Sequence, residues 1–364
     1  MPSKNVTAPF YEKLSLVLVG LIALCYIVIL GKDLLDPLVF GFLFAILLLP
    51  VCSFLERKLR MPRSLASLLS IILLIVFIGG ILYLVGSRIS AMADDWPQLR
   101  KQVGQSVENI RQWIQDSFHI NMDKQMDYVH DATSKLMASG SNVIGTTFGA
   151  VSSLMLFYAF ILIFTFLILF YRRLLLAFLV WVFTDSYKAI VFDIVENIQK
   201  IMRQYILGLL LEMFIVACMA CTAFFIIGIK YALLLGIIVG LFNIVPYVGI
   251  YTALLISTLI TFATGNIRDA LFVALSVVIV HTIDANVLLP TIVGSKVRLN
   301  ALISFLGIVI GEMIWGLSGM FLAIPVIAIM KIIFDRIESL KPWGFLLGGD
   351  YEYKKSAEKA MKTQ

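Results

Sequence analysis

The sequence predicts an all-α, polytopic membrane protein of about eight membrane segments, two of them helical hairpins that re-enter the bilayer from opposite sides. Three observations predict it. Of 364 residues, 60% are hydrophobic and only 14% are charged, against about 25% charged in a soluble domain. Several apolar runs reach the roughly 18 residues that a spanning helix needs. Two further apolar runs, 231–264 and 300–334, are interrupted by Gly, Pro and polar residues in corresponding places, as in transporters whose broken helices build a midplane site.

The first span covers about 14–31. Lys4 and Lys13 precede it, but no small-residue cleavage site closes it, so it reads as an uncleaved span rather than a leader. The second covers 34–55 and should be broken at Pro37 and Pro50. The loop from Glu56 to Arg63 holds Arg57, Lys58, Arg60 and Arg63. This basic loop marks the cytoplasmic side and puts the N-terminus there too. Span three, about 64–86, completes a first unit, 1–86.

Residues 87–143 form the one sizeable polar segment, expected as a small helical extracytoplasmic domain. Leu99, Val103, Val107, Ile110 and Ile114 make one apolar stripe; Met126, Val129, Thr133 and Leu136 make a second. So thin a core should lean on neighbours, including other subunits of a homo-oligomer. His119 and His130 show no metal-ligand spacing. Residues 144–204 hold span four, ending at Tyr171-Arg172-Arg173, and an amphipathic helix over 184–204 on the cytoplasmic side. Its stripe of Ile190, Ile194, Ile198, Ile201 and Tyr205 suits either the membrane interface or a brace for the core.

The transport core is expected over 205–334, as two units of one span plus one hairpin. Span five is 205–228 and span six 270–289. As one helix, Tyr231–Thr264 would measure about 50 Å, well beyond the hydrocarbon thickness. Cut at Asn243–Gly249, its arms are too short to cross. Gly240, Pro246 and Gly249 are the expected hinges of that tip, and Pro290, Gly316, Gly319 and Pro325 those of the second unit. Following the inside-outside alternation, the first hairpin opens outward and the second inward, which relates the units by inverted topology; if each run is instead one kinked span, the Lys296/Arg298 loop falls outside, and its two basic residues favour the hairpins. The tail 335–364 is polar, Lys-rich and cytoplasmic, with Pro342-Trp343 as an interfacial anchor.

Two carboxylates fall inside apolar spans, Glu212 in span five and Asp284 in span six. Charge there is costly and marks ion or substrate paths, although a packing hydrogen bond between helices would also account for it. Asn243 at the first tip, Asn286, Glu312 at the second tip and His281 on the Asp284 face complete the candidate binding set. The pairs Gly236/Gly240 and Gly307/Gly311 fit close helix packing. Cys218 and Cys221 read as small packing residues. Enzyme motifs, nucleotide loops and basic aromatic stripes for nucleic acid are absent from the sequence, so neither cofactor nor metal is expected, and partners reduce to the bilayer, a small-molecule or ion substrate and further copies of the chain.

The runs Asn243-Ile-Val-Pro-Tyr-Val-Gly249, Asp284-Ala-Asn-Val-Leu-Leu-Pro290, Ile292-Val-Gly294 and Gly316-Leu-Ser-Gly-Met-Phe-Leu-Ala-Ile-Pro325 resemble the signature blocks of the autoinducer-2 exporter family of bacterial inner-membrane proteins. The resemblance is strongest over about 200–335. It implies transport, either export of the quorum-sensing furanone or sodium/proton antiport, and plausible oligomers. Set against these is a membrane scaffold that presents 87–143 without transporting; the intramembrane acids favour transport.

Overall fold

The computed structural model describes residues 10–94, 154–245, 248–294 and 299–348, and every regular element among them is helical. The helices are α1 (Phe10–Leu30), α2 (Lys32–Lys58), α3 (Arg63–Asp94), α4 (Leu154–Val182), α5 (Lys188–Ile227), α6 (Ala232–Phe242), α7 (Val248–Thr264), α8 (Ile267–Ile283), α9 (Ala301–Trp315), α10 (Leu317–Arg336) and α11 (Lys341–Gly348). Six of the described helices are long and apolar enough to cross a bilayer. The chain is a polytopic, all-helical membrane protein. The two expected helices of the polar segment, Pro246, the Lys296/Arg298 loop and the last part of the tail lie outside the described residues.

The axis of the bundle is α5. At 40 residues it is about 60 Å long, twice the hydrocarbon thickness. The expected break between an amphipathic helix and span five does not occur: the helix runs on through Arg203 and Gln204. Neither residue is a helix breaker, so the chain had no reason to end a helix there. The stripe of Ile198, Ile201 and Tyr205 is packed inside the protein, so this segment braces the core. Its half of α5 joins Leu43 and Ile46 of α2 with Leu322 and Ala328 of α10 in one buried cluster. The other half, through Val216, Ala220 and Phe224, joins α6, Ala253 of α7, and Val273, Val277 and Val280 of α8. Glu212 lies between these clusters.

A second expected break is also missing. Helix α2 continues through both Pro37 and Pro50. Proline in a spanning helix is tolerated where neighbours close over the freed carbonyl, and Pro37 is fully buried. Likewise α10 continues through Pro325, which is buried too, so the helix does not open at that expected hinge. A third cluster, with Ala45, Leu48, Cys52, Ala66, Ile71, Leu74 and Leu169, seats α3 and α4 on α2. There Glu56 accepts a 2.5 Å hydrogen bond from Arg172, tying the end of α2 to α4.

Small residues set the close approaches. Gly228, with φ +85°, turns the chain after α5, and α6 folds back along it. A Cβ on Gly236 would lie 2.3 Å from the Cys221 sulfur, and one on Gly240 would lie 2.6 Å from the Ala217 Cβ. Gly240 is therefore a packing residue against α5. In the second pair, Gly316 adopts φ +66° between α9 and α10. Gly311 and Gly319 then bring the two backbones together, since a Cβ on Gly319 would lie 1.9 Å from the Gly311 carbonyl oxygen. Asn300 caps α9 by accepting from the Leu302 N–H at 2.9 Å. Its own N–H donates to the Leu347 carbonyl at 2.8 Å, so the pair begins and ends at one end of the bundle.

Candidate functional site

The site grows from the interruption after α6. An apolar helix of 11 residues is only about 16 Å long, and it stops at Phe242. Gly249 begins the return: a Cβ there would lie 1.7 Å from the Phe242 carbonyl oxygen, so only glycine lets α7 start this close to the end of α6. Between them the backbone turns at Asn243, Ile244 and Val245. The turn delivers the Asn243 amide to two carboxylates. Its Nδ2 donates to Glu212 Oε1 at 3.4 Å and to Asp284 Oδ2 at 3.1 Å.

Both acids are buried, Glu212 at 3% and Asp284 at 4% exposure. Each keeps a second oxygen, Glu212 Oε2 and Asp284 Oδ1, that is shielded from solvent without a hydrogen-bond partner among the described residues. The described ion pairs all lie elsewhere. Two carboxylates around one neutral amide, with no cationic side chain paired to either among the described ion pairs, are not both favoured as anions in a low-dielectric setting. Chemically it suits a proton or a small monovalent cation. Among the described residues no three metal-ligating side chains converge.

Asp284 owes its position to an irregularity. At that residue α8 widens into a π-helical stretch, Asp284–Gly294, which includes Pro290. Such segments concentrate at functional sites because the extra residue per turn re-aims side chains. The stretch packs onto α5 at Gly208, where a Cβ would lie 3.2 Å from the Ile292 carbonyl oxygen.

The other candidates lie apart from this trio. Asn286 is exposed, and its amide donates back to the Thr282 carbonyl of its own helix. Glu312 is exposed in the last turn of α9, and its backbone carbonyl accepts from Gly316 N–H. His281 is half-buried, its Nδ1 shielded and unpartnered among the described residues. The two interruptions do touch: Val245 packs against Ile308 of α9 and Met320 and Ala323 of α10.

Sequence reasoning missed two polar features. Asp36 is a third buried acid, at 5% exposure, and only its place two residues inside the second span signalled it. On α7, Ser257, Thr258 and Thr261 have buried hydroxyls without partners among the described residues; Gly249, Ala253, Ser257 and Thr261, spaced by four, form the buried face of that helix.

The family model described as AI-2E family transporter matches residues 16–339. The chain belongs to this family. Two Bacillus subtilis relatives, YrrI and YueF, are named for transport with no substrate stated. YrrI is 26% identical over 309 residues, 83% of this chain and 86% of its own length. YueF is 27% identical over 306 residues, 80% of each chain. TqsA of Escherichia coli, named an AI-2 transport protein, is 21% identical over 315 residues, 84% of this chain and 87% of TqsA. The AI-2E match spans all three elements that supply Glu212, Asn243 and Asp284, and the protein is accordingly a membrane transporter.

Proposed function

We infer that the protein is a secondary transporter that moves a small polar solute by alternating access, with Glu212, Asn243 and Asp284 as its coupling site. The observation that carries this reading is the convergence of two buried carboxylates on one amide at a break between short helices. Two such groups are not both stable as bare anions in a medium of low dielectric. A bound proton or monovalent cation removes the imbalance, and its release to one side or the other supplies the coupling.

The two units, 205–264 and 270–334, then act as inverted repeats, with re-entrant hairpins α6/α7 and α9/α10 meeting at Val245 and Met320. The basic loop Arg57–Arg63 orients the chain with both termini cytoplasmic in the bacterial inner membrane. The autoinducer-2 signal is the substrate suggested by the relative TqsA, an AI-2 transport protein. The orphaned carboxylate oxygens favour a second reading, exchange of Na⁺ for protons without an organic solute. Homo-oligomeric assembly would give the segment 87–143 neighbours to pack against.

The deciding experiment is uptake and efflux in proteoliposomes, with a furanone signal or Na⁺ as substrate and with imposed Na⁺ or pH gradients. Glu212→Gln and Asp284→Asn keep size and hydrogen bonding but cannot change charge. Gradient-driven flux should fall at least tenfold in either variant. Normal flux and unchanged ion dependence in both would refute the coupling role.

A further inference from the structure

The second interruption is seated on the N-terminal helices by three contacts. Trp315 Nε1, at the end of α9, donates to the Val28 carbonyl of α1 at 3.0 Å. Phe321 of α10 stacks on Phe40 of α2, with ring centroids 5.6 Å apart and planes 3° from parallel. Between them, Ser318 in the first turn of α10 lies beside the Asp36 carboxylate.

Asp36 Oδ1 is shielded and has no hydrogen-bond partner among the described residues. Lys32, one turn earlier on α2, is exposed. No ion pair joins it to Asp36 among the described contacts. Asp33 on α2 and Glu312 on α9 are exposed; the last turn of α1 and the first turn of α10 carry no charge. An ionised carboxylate buried with one oxygen unpartnered among the described residues is strongly disfavoured.

We propose that Asp36 and Ser318 form a second monovalent-cation site, separate from the Glu212–Asn243–Asp284 site, which takes up one proton or one Na⁺ while the α9/α10 turn is seated against α1 and α2. Losing that positive charge leaves a buried anion at the contact, and the turn then separates from α2 to let water reach the carboxylate. The site thus links the N-terminal helices to the second hairpin. The chemistry of the ligand is a single positive charge, and the two sources are told apart by experiment.

The test uses the full chain in proteoliposomes with Trp315 as its only tryptophan, the other four replaced by phenylalanine. Trp315 lies in the contact itself, so its emission reports seating. The expected result is an emission shift to longer wavelength as pH is raised in choline buffer, with loss of the shift in Asp36→Asn and its retention in Glu312→Gln. If Na⁺ at constant ionic strength moves the curve, the ligand includes Na⁺; if it does not, the ligand is a proton. An unresponsive emission, or a wild-type response in Asp36→Asn, would overturn the proposal. So would a response lost in Glu212→Gln or Asp284→Asn but kept in Asp36→Asn, because it would then belong to the other site. Conversely, flux lost in those two variants with the Trp315 response intact keeps the two sites distinct.

Discussion

Glu212 and Asp284 share a single hydrogen-bond donor, although one comes from the middle of α5 and the other from the π-helical end of α8. The amide of Asn243 therefore holds together the leading helices of two different units. Replacing it by leucine keeps the bulk and removes the donor that the two carboxylates share. Asn243→Leu should lower stability by about 1–3 kcal/mol, read as a lower melting temperature in detergent, and flux should fall with it. An unchanged melting temperature would show that the amide is dispensable to the pair.

The start of α7 makes a sharper steric prediction. At Gly249 a Cβ would have to occupy space 1.7 Å from the Phe242 carbonyl oxygen, and backbone atoms on both sides cannot yield as a flexible side chain would. Gly249→Ala should destabilise the fold by about 1–3 kcal/mol or more. Gly79→Ala on α3 is the matched control, because a Cβ there meets nothing within 4 Å, and alanine in a helix is favoured over glycine by up to about 1 kcal/mol. Equal melting temperatures for the two variants would contradict the close approach of α6 and α7.

What was legible in the sequence follows from how local each cause is. Glycines and polar residues interrupting apolar runs marked the turns at Asn243 and Gly316, and charge in apolar spans marked Glu212 and Asp284. Helix continuity was harder to read. An amphipathic stripe over 184–204 resembles an interfacial helix until its partners are known, and the partners of Ile198 and Tyr205, on α2 and α10, are far away in the chain. Pro37, Pro50 and Pro325 have the same local chemistry as helix breakers, and nothing local tells that the helices continue through them; Pro37 and Pro325 are held in buried packing. The π-helical stretch leaves no periodic trace, because one inserted residue per turn shifts register without changing composition. Asp36 was overlooked because a carboxylate near a helix start suits the N-terminal dipole at the membrane surface.

The ends of the bundle give a topological prediction. Helix α5 separates the turn at Gly228 from the ion pair between Asp193 near its start and Arg336 at the end of α10. The Asn300–Leu347 hydrogen bond places the start of α9 with α11. The α7–α8 turn at Gly265 and Asn266 should therefore face the side opposite to Lys341. With Cys25, Cys52, Cys218 and Cys221 replaced by serine or alanine, Asn266→Cys should react with an impermeant thiol reagent from the periplasm, and Lys341→Cys only after the membrane is opened. Labelling of both from one side would refute the inverted arrangement of the units.

The hydroxyls of α7 separate stability from transport. A serine or threonine in a helix commonly returns its hydroxyl to the carbonyl four residues earlier, as Thr252 does to Val248 at 2.8 Å. Ser257 and Thr261 do not, and at 0% and 1% exposure their hydroxyls have neither solvent nor a described partner. An unpaired buried polar group costs about 1–3 kcal/mol. Thr261→Val preserves the branched shape while removing the hydroxyl, and Ser257→Ala removes it with a small loss of volume. Both variants should melt at a higher temperature than the wild type, Thr261→Val by the larger margin because it leaves no cavity. A lower melting temperature would mean that Thr261 is hydrogen-bonded in the membrane. If the stabilised variants carry less flux, the hydroxyls serve the permeant directly, since greater stability with less transport is the opposite of what a folding defect produces.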